Sequence, residues 1–203
     1  MTSATLNAPI TDRRLACLYL IGGSVGFVAA FTLLVEKIAL IEDPTYVPSC
    51  SINPILSCGS IMRTTQAEAF GFPNPILGVA GFAIIGTIGA ALLAGAQFAR
   101  WFWWTLLAGT LAGVGFVHWL IFQSLYRIDA LCPYCMVVWA VMITLFWYTA
   151  LRTATALASP RPRAARLITV ASTYHTTWLT LWYLAIAALI AQRFWDYWVT
   201  LLT

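Results

Sequence analysis

The sequence predicts an all-α integral membrane protein with five transmembrane helices, and three observations predict it. Of 203 residues, 61% are hydrophobic and 9% charged, and the mean hydropathy is +0.83, values outside the range of soluble domains. Five apolar stretches, at 17–41, 73–96, 101–125, 131–151 and 177–194, each approach the roughly 20 residues that about 30 Å of hydrocarbon requires. Trp101, Trp103, Trp104, Trp178, Trp195 and Trp198 gather near the ends of these stretches, as aromatic belts do at a membrane interface.

Arginine placement orients the helices. With the N-terminus cytoplasmic, Arg13, Arg14, Arg100, Arg152, Arg161, Arg163 and Arg166 lie inside, against Lys37, Arg63, Arg127 and Arg193 outside; the excess inside favours that topology. The net charge of +4 then reflects topology and points to no nucleic-acid partner.

Residues 1–16 form the cytoplasmic N-terminus. The first apolar run is too long for a signal-peptide core, so helix one is expected to stay uncleaved. Cys17, at its inner end, reads as a packing residue. Gly22 and Gly26 have the four-residue spacing that lets helices approach closely, and Glu36 and Lys37 are expected to snorkel to the outer interface. The connection 42–72 emerges outside, carrying Cys50 and Cys58 in "PSCSINPILSCGS"; Pro48, Pro54 and Gly59 make it irregular and able to move. In the second helix Asn74 precedes Pro75, an ordinary capping arrangement. The third contains Gly109 and Gly113, again read as packing residues, and His118, an intramembrane ionisable group expected to bond a neighbouring helix. The fourth opens with "CPYC", Cys132 to Cys135. Residues 153–176 form an arginine-rich cytoplasmic linker, in which His175 is uninformative, and 177–203 hold the fifth helix and a short tail.

Four of the five cysteines therefore face the outer compartment, where oxidising conditions give paired thiols a chemical meaning. Cys132 and Cys135 share one helix face, with Cys135 about 4.5 Å deeper in the bilayer. Pro133 suits the first helical turn, which puts Cys132 near the N-cap, where the dipole and unsatisfied N–H groups favour a thiolate. Two dithiols, one in a movable loop and one at the membrane edge, can relay two electrons through mixed disulfides. A bilayer-soluble acceptor of two electrons suggests a quinone. The competing readings are a pair of structural disulfides and a four-cysteine zinc site, since CxxC is also a metal-ligand spacing. A CxxC bridge closes too small a ring to staple anything, and zinc more often takes two close pairs than an eight-residue separation, so no metal is expected.

"CSINPILSC" in the first outer loop, "FPNPILG" entering the second helix and "CPYC" heading the fourth, in that order, resemble the vitamin K epoxide reductase family over roughly residues 13–152. The resemblance implies a four-helix transmembrane domain, residues 17–152, around a quinone, with the fifth helix as an addition. Bacterial stand-alone members are quinone-linked thiol oxidases that drive disulfide formation outside the cytoplasm. It implies that Cys50 exchanges with the reduced partner, that Cys58 passes electrons to Cys132, and that Cys135 contacts a quinone of the menaquinone, ubiquinone or vitamin K type. Asn74 would donate a hydrogen bond to a quinone carbonyl, and Ser57 matches a family serine of unassigned role. Trp139 stands where vertebrate members have a quinone-contacting tyrosine; an indole donates one hydrogen bond and accepts none, so any contact there is stacking or a different hydrogen bond. Bacterial fusions in the family append a thioredoxin-like domain, and the residues after the fourth helix here are too few for one, so a separate thioredoxin-fold, DsbA-like partner is expected; the resemblance to bacterial members implies a plasma (inner) membrane location. A DsbB-like oxidase has the two cysteine pairs in the reverse order. Vitamin K epoxide or quinone reduction and a non-enzymatic scaffold with structural disulfides are the remaining alternatives.

Overall fold

The computed structural model describes residues 12–156 and 162–200, with the side chains of 156 and 162–164 excepted. The helices are α1 (Asp12–Glu42), α2 (Cys58–Met62), α3 (Pro75–Leu93), α4 (Arg100–Gln123), α5 (Pro133–Ala156), α6 (Pro162–Thr173), α7 (His175–Arg193) and α8 (Trp195–Thr200), with a 3-10 turn at Thr65–Glu68 and a π turn at Ser124–Ile128. Among the described residues there is no strand, only one isolated parallel bridge between Leu56 and Leu131. α1, α3, α4 with its π turn, and α5 are each long and apolar enough to cross a membrane; a fifth span requires α6 and α7, bent by 72° at their junction, to count as one. The chain is a multi-pass helical membrane protein.

The described residues divide into two compact units, 12–149 and those from 150 to 200. Within the first, α1 and α3 pack at close range because glycines remove the side chains between them. A Cβ on Gly23 would lie 2.5 Å from the Gly86 backbone nitrogen, and one on Gly26 would lie 2.5 Å from the Phe82 ring. Gly22 faces Leu145 of α5, and Gly113 faces Met142. Gly109 differs from the packing reading: nothing lies within 4 Å of the position its Cβ would take, because it borders an internal cavity. A buried hydrogen bond of 2.6 Å between the Tyr19 and Thr149 hydroxyls joins α1 to α5.

In the second unit, α6 occupies half of the segment read as a linker, and α7 follows it. α7 carries Trp178, Leu181, Leu184 and Leu189 exposed along its length, the surface expected of a helix solvated by lipid.

The loop between α1 and α3 is more ordered than its prolines and glycine suggested. Glu36 and Lys37 are only 7% and 8% exposed, and both turn into this loop instead of snorkelling. The Glu36 carboxylate accepts from the Tyr46 hydroxyl at 2.9 Å and from the Ser49 hydroxyl at 2.5 Å, with the Ser49 N–H at 3.3 Å. The Lys37 ammonium donates to the Met62 carbonyl at 2.7 Å and pairs with Glu68 at 2.8 Å. Adjacent residues on one helix thus hold the two halves of the loop. A buried charge is tolerated only when hydrogen-bonded or paired, and the loop supplies those partners.

Candidate functional site

Local sequence chemistry brings Cys58 to the start of a helix. The Asn53 side-chain oxygen accepts from the Ile55 and Leu56 N–H groups at 3.0 and 2.7 Å, turning the chain after the "INP" step. Ser57 then caps α2, its hydroxyl accepting from the Ser60 N–H at 3.3 Å, the usual role of serine at this position. The residue matched to a family serine is therefore the cap that sets Cys58 in the first turn. Next to it, Gly59 donates its N–H to the Ser51 hydroxyl, and a Cβ there would crowd Pro48.

Cys132 reaches the same place from 74 residues away. The π turn ends at Asp129, whose φ of 58° is left-handed and reverses the chain just before α5. Leu131 then lies alongside the loop: its N–H donates to the Ile55 carbonyl at 2.7 Å and its carbonyl accepts from the Ser57 N–H at 2.9 Å. These two backbone bonds fix Leu131 beside Ile55 and Ser57, and Cys132 and Cys58 are the next residues along the two segments.

Cys50 and Cys58 form a disulfide, while Cys132, Cys135 and Cys17 are free thiols. Cys132 Sγ lies 3.0 Å from Cys58 Sγ, and the sulfurs of Cys50, Cys58 and Cys132 all fall within 4.8 Å of one another. The three residues are 4%, 0% and 1% exposed, packed with Leu33, Leu40 and Met62, and Tyr46, Tyr134 and Cys135 border the group. α5 begins at Pro133, and Cys132 Sγ accepts from the Cys135 N–H at 3.3 Å, so the sulfur itself caps the helix. The Cys135 thiol, as hydrogen-bond partner, holds the Cys132 thiol below the usual range; burial opposes this, and the Cys135 and Tyr134 N–H groups assist. Cys132 is the sulfur best placed to be a nucleophile, since the thiolate is the attacking form.

Behind the sulfurs lies a cavity of about 500 Å³, lined by residues of α1, α3, α4 and α5 and reached by Cys58, Cys132 and Cys135. Asn74, Gln66, Gln123 and Ser124 are among the few polar residues on walls otherwise built by Leu33, Phe82, Ile85, Leu106, Phe116, Val117 and similar side chains. Trp139 lines it too, and its indole N–H is buried with no hydrogen-bond partner. Asn74 does not cap α3: its amide nitrogen donates to the Gln66 carbonyl at 2.7 Å and its oxygen accepts from the Ala69 N–H at 3.0 Å, clamping the 3-10 turn beside the cavity.

Two other candidates stand apart. His118 bonds through Nδ1 to the Val114 carbonyl one turn back, at 2.8 Å. Cys17 is a half-buried thiol near the opposite end of α1 from the loop. Glu36 and Lys37 hold the loop where snorkelling was expected, charges inside an apolar run being the available signal, and nothing in the sequence marks Leu131.

A family model described as "Vitamin K epoxide reductase family" matches residues 17–150, more than half the chain. No curated protein matches it.

Proposed function

The chain belongs to the vitamin K epoxide reductase family, whose members are membrane thiol–disulfide oxidoreductases, and on that premise we propose that it is a quinone-linked thiol oxidase. It takes electrons from a separate thioredoxin-fold protein on the extracytoplasmic side of the plasma membrane. The observation that carries this reading is the free Cys132 sulfur 3.0 Å from the Cys58 sulfur of a closed disulfide, on the wall of a largely apolar cavity.

The steps balance as two-electron thiol–disulfide exchanges. A partner thiolate attacks Cys50 of the Cys50–Cys58 bridge, Cys58 leaves as a thiolate, and the partner's second thiol resolves the mixed disulfide, leaving the partner oxidised and the loop pair reduced. Cys58 then attacks Cys132 of a Cys132–Cys135 bridge, releasing Cys135. Cys50 displaces Cys132 from Cys58, which restores the loop disulfide and leaves Cys132 and Cys135 as thiols. The arrangement found, with the loop pair closed and the CxxC pair open, corresponds to the stage at which both electrons have moved inward.

Whether a quinone suits the cavity is tested by its polar atoms. A buried N–H without a partner costs free energy, and the Trp139 indole is such a donor, on a residue that lines an apolar cavity of ligand size. It suits a carbonyl oxygen, as does the remaining N–H of the Asn74 amide. When bound, a quinone supplies a two-electron, two-proton acceptor soluble in the bilayer. Asn74 and Trp139 would hold it, Cys135 would stand at the cavity face of the dithiol, and the Leu33, Phe82 and Ile85 walls would exclude water.

The test is oxidation of a reduced thioredoxin-fold protein by the purified chain in detergent, with and without ubiquinone or menaquinone. The reading predicts turnover only with quinone, one quinol formed per disulfide. Turnover that is indifferent to quinone, or none with either quinone, would overturn it.

A further inference from the structure

We propose that the reduced site is a redox-gated metal trap: once Cys50, Cys58 and Cys132 are all thiols, they capture one soft divalent cation of the zinc type and arrest the relay. This deepens the proposed function, since it names a means of inhibiting that same site. From spacing alone zinc was the weaker reading, because Cys50 and Cys58 are eight residues apart where a second close pair is more usual. The fold removes that objection by bringing Cys132 to them across 74 residues.

The geometry is close to what a cation needs. All three sulfurs already lie within 4.8 Å of one another, and a tetrahedral site with metal–sulfur bonds of about 2.3 Å sets sulfurs about 3.8 Å apart. Cys132 and Cys58 stand at 3.0 Å, so a small side-chain rotation after the disulfide opens brings the set to that spacing. The Cys135 N–H to Cys132 Sγ contact is the kind of outer hydrogen bond that fixes a thiolate ligand. Cys135 lines the cavity beside Cys58 and Cys132 and is placed to supply the fourth ligand.

Charge favours capture in the reduced state and forbids it in the oxidised one. Three buried thiols lose three protons as they bind, and the cation cancels two of the three negative charges, leaving a net charge of one in apolar surroundings where three would be prohibitive. In the disulfide state Cys50 and Cys58 have no thiolate to offer. The metal therefore binds only after the site has accepted electrons, and it ties up the sulfurs that would pass them on.

The experiment uses the full chain in detergent, without partner or quinone, so that its failure and the failure of the oxidase reading are separable. The protein is reduced with a phosphine, freed of reductant and titrated with zinc against a chromophoric chelator, and with cobalt for thiolate-to-metal absorption. One cation per chain should bind the reduced protein, and none at the same concentration once Cys50–Cys58 is closed. Cys50→Ser, Cys58→Ser and Cys132→Ser should each weaken binding by at least the roughly tenfold that loss of even an outer-shell contact costs, while Cys17→Ser leaves it unchanged. Circular dichroism of each variant separates lost ligation from lost folding. No stoichiometric uptake by the reduced protein, equal uptake by both redox forms, or uptake indifferent to Cys50 and Cys58 would overturn the proposal.

Discussion

Trp139→Phe separates a ligand-binding role from a packing role at the cavity wall. The indole is 3% exposed and its N–H has no partner, which costs the ligand-free protein about 1–3 kcal/mol. Phenylalanine removes that penalty but forfeits about 1 kcal/mol of buried ring surface. The two terms oppose each other, so the ligand-free variant should keep its thermal stability to within about 1–2 kcal/mol. Quinone binding has no such compensation. A neutral hydrogen bond is worth about 0.5–1.5 kcal/mol net, so the KM for quinone should rise about 2- to 13-fold. The assay is quinone-dependent oxidation of a reduced thioredoxin-fold protein, run beside thermal unfolding of both proteins. An unchanged quinone KM accompanied by a large drop in stability would make the indole a core residue and refute the reasoning.

Glu36→Gln keeps the shape but replaces charge-assisted hydrogen bonds to Tyr46 and Ser49 by neutral ones, a loss of about 1–2 kcal/mol; hydrogen exchange at residues 46–51 should quicken, and unchanged protection would show that the carboxylate does not hold the loop. Gly23→Ala drives a methyl to 2.5 Å from the Gly86 backbone and should cost about 1–3 kcal/mol in thermal unfolding. Gly109→Ala meets nothing within 4 Å and should gain about 0.5–1 kcal/mol from reduced chain entropy; equal effects of the two would contradict the packing account. With the loop disulfide closed, the Cys132 thiolate absorbance should titrate below the ordinary thiol range, because Cys135 and the helix N–H groups stabilise the charged form. Attack by Cys132 on the closed loop disulfide, the reverse of the relay's inner step, therefore slows as pH falls through that value and levels off above it. Cys135→Ala removes the largest stabilising contact and should move the midpoint upward, and a stationary midpoint would contradict this origin.

The helices were legible in the sequence because a bilayer imposes length and apolarity on each span: the stretches read at 17–41, 73–96, 101–125 and 131–151 all fall on helices. The start of α5 at Pro133 and the capping position of Cys132 followed from proline chemistry alone. The meeting of Cys58 with Cys132 did not, because it depends on two backbone bonds to Leu131, and backbone groups leave no mark in side-chain pattern. Glu36 and Lys37 were misread for a related reason. Charges near a helix end reach water by default, and only the folded loop shows that serine, tyrosine, a carbonyl and Glu68 offer them better partners. Asn74 likewise stands where a cap stands, yet its oxygen and one amide N–H bond Ala69 and Gln66, a turn defined by tertiary packing.

The central claim is that electrons pass between the pairs through Cys58 and Cys132. Peptide mapping of disulfides tests it most directly in two double variants that leave neither pair able to resolve. In Cys50→Ser/Cys135→Ser, the sulfurs that remain at the site are those found 3.0 Å apart, and mild oxidation should drive nearly all the protein into a Cys58–Cys132 bridge. In Cys58→Ser/Cys135→Ser, a Cys50–Cys132 bridge should form far more slowly. Equal rates, or a Cys50–Cys132 bridge that forms first, would contradict the relay through Cys58.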